Sequence, residues 1–156
     1  MDLNFALVLI ARWLHILSAT LTVGVPIYLW LVLMPAVTGL DEASQAKLRE
    51  GSAKRWRILI YVCITIFLAT GFFNFLYIQR WRGFVVKGEM ITYHILFTVK
   101  FVLALGLFFV LSALAGRTKA LENFRKNAKT WVLVSVLLGV AIVIVSGIMR
   151  FMPFTL

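Results

Sequence analysis

Four stretches of this chain approach or exceed the roughly 20 apolar residues that cross a bilayer, and they leave it few ways to fold. In 156 residues that are 62% hydrophobic and only 14% charged, they leave no room for a soluble domain. The expectation is an all-α integral membrane protein, a single four-transmembrane-helix bundle. Its spans fall at about 5–34, 58–78, 90–114 and 131–152. The first is long for one crossing, so it tilts or protrudes. Pro26 inside it predicts a kink near Thr22, and Pro35 is expected to end it. In the polar loop that follows, Asp41 to Glu50 predicts a short helix capped by Asp41 and broken at Gly51-Ser52. The first run is too long for a signal peptide and lacks a basic region before it, so it is expected to be retained.

The charges sit between these runs. A net charge of +10 in a soluble chain points to nucleic acid; here anionic lipid headgroups and topology account for it better. The first and third loops carry five Lys or Arg each, whereas the opposite side has Arg80, Arg82 and Lys87, with Arg12 and Arg150 near the chain ends. The positive-inside rule then puts both termini outside and the two basic loops in the cytoplasm, as in a bacterial inner membrane. Cys63 is the lone cysteine, so no internal disulfide forms. No phosphate loop, CxxC, CxxCH, GxSxG or HExxH is present, which removes the common soluble chemistries.

Two histidines stand out. Ionisable groups within a span are costly and are functional candidates by default. His15-Ile16-Leu17 in the first span is echoed by His94-Ile95-Leu96 in the third. Thr70-Gly71 in the second is echoed by Ser146-Gly147 in the fourth, and Trp56 and Trp131 open those two spans. A duplicated helix pair would relate the halves by an axis along the membrane normal. Short matches among Leu and Ile also arise by chance.

Arg12, His15, Ser18 and Thr22 form a polar stripe at helical spacing. An imidazole with a guanidinium one turn nearer the surface suits a haem on edge, with iron on His15 and a propionate on Arg12. The plainer alternative is a histidine hydrogen-bonded to another helix. His94 is the expected second axial ligand, with Thr98 orienting its ring. Lys100, six residues on, has no carboxylate in any span. It is a fallback ligand, a proton carrier, or a side chain snorkelling outward. Asn74, Ser146 and Arg150 complete a polar cluster, and Gly71 and Gly147 allow close approach. A rival set, Met90 and His94 with Met149 and Met152, suits copper.

Leu14-His15-Ile16-Leu17-Ser18-Ala19, then Val23-Gly24, Pro35, Thr70-Gly71 and Lys100, resemble the CopD-like family of four-helix membrane proteins, and more distantly the HemJ-type protoporphyrinogen oxidases. The resemblance covers most of the chain through short motifs. It implies a haem b or copper role, with His15 and Lys100 at matching positions: CopD-like proteins are associated with copper uptake, and HemJ-type ones bind haem and oxidise protoporphyrinogen. Two departures stand. Thr22-Val23-Gly24-Val25 replaces the families' Trp-Val-Gly-Gly-like stretch, and a Tyr-Leu-Pro-Arg-like segment is missing.

The expectation is therefore a haem b protein for electron transfer or porphyrin oxidation. His15 and His94 would bind the metal, Lys100 would be in reserve, and Arg12 and Arg150 would hold propionates. The partners would be the lipid bilayer and a quinone or another redox membrane protein. Copper binding or uptake is the first alternative. A cofactor-free accessory subunit of a larger membrane complex is the second.

Overall fold

A computed structural model describes residues 3–81, 87–116 and 118–151. All of their regular structure is helical. Helix α1 spans Leu3–Tyr28 and continues through one π-helical stretch, Leu29–Leu33, into α2, Met34–Val37. Then come α3 (Glu42–Trp81), α4 (Lys87–Ala115), a 3-10 turn (Lys119–Leu121), α5 (Glu122–Lys126) and α6 (Ala128–Arg150). Four helical segments are long and apolar enough to cross a membrane: Asn4–Val37, Glu42–Tyr77, Met90–Ala115 and Ala128–Arg150. In hydrocarbon a backbone must satisfy its own polar groups, and continuous helices do so.

The helices follow one another around the bundle. α1 packs most closely on α3 and α4 on α6, and the two pairs join through α1–α6 and α3–α4 contacts. On α4, Ala104, Leu107, Phe108 and Leu111 are buried at helical spacing and meet Ile60 and Phe67 of α3 and Ile142 of α6. The outward faces are apolar as well: Trp13, Phe72, Val102 and Leu137 are all about 60% exposed. Helices that are hydrophobic all round belong in lipid. Buried hydroxyls turn back onto their own helices, Thr22 Oγ1 to the Ser18 carbonyl at 2.8 Å and Ser135 Oγ to that of Val132 at 2.6 Å. α6 approaches α1 at Gly139, where a Cβ would lie 3.0 Å from Val23 Cγ1.

Three local expectations change. The helix runs on through Pro26, and its departure from α geometry comes later, at Leu29–Leu33. Pro35 does not end it. A proline ring clashes with the carbonyl four residues back in a continuous α-helix, and the wider π turn just before Pro35 relieves that clash. Asp41 does cap α3, its carboxylate accepting the Ser44 N–H at 3.1 Å, but Gly51-Ser52 does not break the helix. One glycine costs about 1 kcal/mol relative to alanine, and neighbours such as Ala46, Lys47, Leu48, Arg49 and Glu50 outweigh it.

At 40 residues, α3 is about 60 Å long, twice a hydrocarbon core, so its basic first third projects beyond the bundle. Two arginines fasten this end. Arg57 Nε donates to the Ala115 carbonyl at 3.1 Å, and Arg125 forks onto the carbonyls of Gly116 and Thr118 at 3.2 and 3.0 Å. Cations suit the carbonyl end of α4. At this end Phe124 also packs on Trp131, with ring centroids 4.2 Å apart.

Candidate functional site

The polar stripe on α1 runs from outside to inside: Arg12 is exposed, His15 half-buried, and Ser18 and Thr22 fully buried. The His15 ring crosses to α3. It lies on Phe67, with ring centroids 4.3 Å apart, and its Nδ1 is 3.1 Å from Thr70 Oγ1. A Cβ on Gly71 would come 3.0 Å from His15 Cε1, so the absence of a side chain there lets the imidazole seat this deeply.

Donor accounting at Thr70 assigns a tautomer. The Thr70 hydroxyl gives its proton to the Ile66 carbonyl at 2.6 Å, so toward His15 it can only accept. With the Thr70 proton on Ile66, the donor of the pair is assigned to His15 Nδ1, and in that tautomer Nε2 keeps its lone pair. A histidine that binds a metal is commonly oriented in this way, by giving its other N–H to a fixed acceptor.

Lys100 shares this neighbourhood: it is half-buried on α4 and within electrostatic reach of His15. Among the described residues it has neither a hydrogen bond nor an ion pair. A lysine at mid-span costs about 3 kcal/mol to insert.

His94 is placed differently. Its Nδ1 is 2.6 Å from the Met90 carbonyl of its own helix, and its ring meets Phe75 and Tyr93 edge-on at 5.9 and 6.1 Å. Thr98 does not orient that ring; its hydroxyl donates to the His94 main-chain carbonyl at 2.8 Å. His15 meets α3 at Phe67 and Thr70 whereas His94 meets it at Phe75, so the two histidines stand at different levels of the bundle; Lys100 lies six residues beyond His94 on α4, about 9 Å along the axis.

The remaining candidates scatter. Arg12 and Arg150 are exposed at the same end of the bundle, and neither has a polar partner among the described residues. Ser146 donates to the Ile142 carbonyl at 2.7 Å, while Gly147, unlike Gly71, has nothing near its absent Cβ. Met90 is exposed and Met149 buried; Arg82, Arg117 and Met152 lie outside the described residues. Among those residues no three of His, Cys, Asp or Glu gather as a metal-binding group.

Sequence reasoning paired His15 with His94 by likeness and left Thr70 as a motif residue. The spacing Phe67, Thr70, Gly71, Asn74 already marks one face of the second span, and that face carries the ring floor, the acceptor and the notch. The chain matches no protein-family model, no curated protein and no solved structure.

Proposed function

We propose that this chain is a b-type haem protein of a bacterial inner membrane, with both termini outside and the basic loops in the cytoplasm. The observation that carries the reading is the seat of His15: its Nδ1 lies 3.1 Å from Thr70 of α3, and the tautomer assigned from that contact leaves the Nε2 lone pair for iron. The donor chemistry fits the group. His15 would hold the iron, and Lys100, as a neutral amine, would be the other ligand ahead of His94, because it lies within electrostatic reach of His15. Arg12 and Arg150, exposed and without polar partners among the described residues, are available to the propionates. When bound, the haem supplies a one-electron couple for electron transfer or porphyrin oxidation, exchanging electrons with a quinone or another membrane redox protein. The chain's own residues orient the imidazole at Thr70, leave room for its ring at Gly71, and would offer the Lys100 amine in its neutral form.

Titrating the detergent-purified protein with haemin, with metal analysis of the product, tests the reading. The expected result is one haem per chain with a six-coordinate spectrum, and at least about a hundredfold weaker uptake in His15→Ala. A colourless protein carrying stoichiometric copper would move the assignment to copper binding or uptake. A protein that takes up neither would put the accessory-subunit reading in front.

A further inference from the structure

Polar side chains inside the spans mostly settle on their own helix. Thr22, Thr65, Ser135 and Ser146 each donate to a main-chain carbonyl three or four residues back. Asn74 does not. It lies one turn beyond Thr70, on the face of α3 that seats His15. It is half-buried, and its amide has no hydrogen bond among the described residues. An amide left without a partner in apolar surroundings is costly, and this one offers two N–H donors. α2 and α3 are joined by residues 38–41, and α1 packs along α3, so the two long helices run antiparallel. From the His15–Thr70 contact, the same direction leads to Arg12 on α1 and to Asn74 on α3, about 4.5 and 6 Å along their axes. The guanidinium-bearing and amide-bearing positions therefore stand at nearly one level. Arg12, too, has no polar partner among the described residues.

We propose that Asn74 joins Arg12 in holding one carboxylate of the bound porphyrin, so that the site selects a macrocycle with free propionates. The inference rests on the haem reading above. Arg12 supplies the charge, and Asn74 supplies N–H donors from the helix face that also seats the imidazole. A neutral carbonyl or an ester could use Asn74 but would leave the guanidinium unmatched; a carboxylate engages both.

Titration of the full chain in detergent with haemin and, separately, with haemin dimethyl ester tests this. The wild-type chain should bind haemin more tightly than the ester by about tenfold or more, as for hydrogen bonds to a charged group. N74A should weaken haemin binding by about tenfold and ester binding little. N74D keeps the size of the side chain but sets a carboxylate against the propionate; it should weaken haemin further and leave the ester nearly unchanged. Loaded variants should keep the wild-type spectrum, since His15 is untouched. Equal losses for haemin and ester, or wild-type haemin affinity in N74D, would overturn the proposal and leave the haem reading standing. A wild-type chain that takes up neither porphyrin would remove the haem reading and this inference with it.

Discussion

His15 and His94 head the same tripeptide near the same end of parallel helices, yet their Nδ1 atoms are held by different things. His15 reaches across to Thr70 of α3, over Phe67 and into the space left by Gly71. His94 turns its Nδ1 onto the Met90 carbonyl of its own helix, one turn back. A cross-helix acceptor ties the His15 Nδ1 to the neighbouring helix, whereas the Met90 carbonyl ties that of His94 to its own backbone, with Phe75 of α3 meeting the His94 ring edge-on. A shared tripeptide therefore does not make equivalent sites; the facing helix does. The same contrast separates Gly71, which accommodates an imidazole, from Gly147, which meets nothing.

The largest expected effect breaks the comparison outright. His15→Ala should abolish stable haem binding, while His94→Ala should keep most of it, read from the absorbance of bound haem per chain. If His94→Ala loses haem as completely as His15→Ala, the two rings act as a pair and the difference between their surroundings is immaterial. Next comes Lys100→Met. With Lys100 as the second ligand, the oxidised spectrum should change from six-coordinate low-spin to five-coordinate high-spin; an unchanged spectrum would return that role to another group.

Thr70→Val keeps the size of the side chain but removes the acceptor from which the His15 tautomer is assigned. Haem affinity should fall by about tenfold to a hundredfold, as is usual when the partner of a ligating histidine is lost. Gly71→Ala sharpens the point, since the added methyl would press on His15 Cε1 and displace the ring by a few tenths of an ångström. A several-fold loss of affinity is expected there and none in Gly147→Ala, compared by haemin titration.

Much of the architecture was legible before any coordinates. Apolar length alone locates the four helices, because a bilayer admits so few alternatives. Their ends were less legible. Gly51-Ser52 reads as a break, yet strong helix formers on either side carry α3 straight through it. Pro35 reads as a stop, yet a π turn accommodates it. At the site, His15 and Lys100 were singled out by the cost of ionisable groups in hydrocarbon. That His15 turns to Thr70 and Phe67 was not legible, because it depends on which faces of α1 and α3 meet. Runs that are apolar on every side carry little record of that rotation.

The smallest expected effect lies at the far end of the molecule. Hydrogen bonds from the Ser44 side chain and N–H hold the Asp41 carboxyl below its ordinary value of 3.8. A depressed carboxylate contributes its stabilisation above the unfolded value and loses it as pH falls through the folded one. The first turn of α3 should therefore fray only below about pH 4, seen as faster amide exchange at Ser44, with the haem spectrum unaffected by that fraying.

The most direct test of the central claim is the spectrum of His15→Gly with and without free imidazole. The account predicts that the variant, loaded with haemin, lacks the native six-coordinate spectrum and that added imidazole restores it by occupying the vacated ligand position. A His15→Gly protein with the wild-type spectrum before any imidazole is added would show that His15 is not the iron ligand.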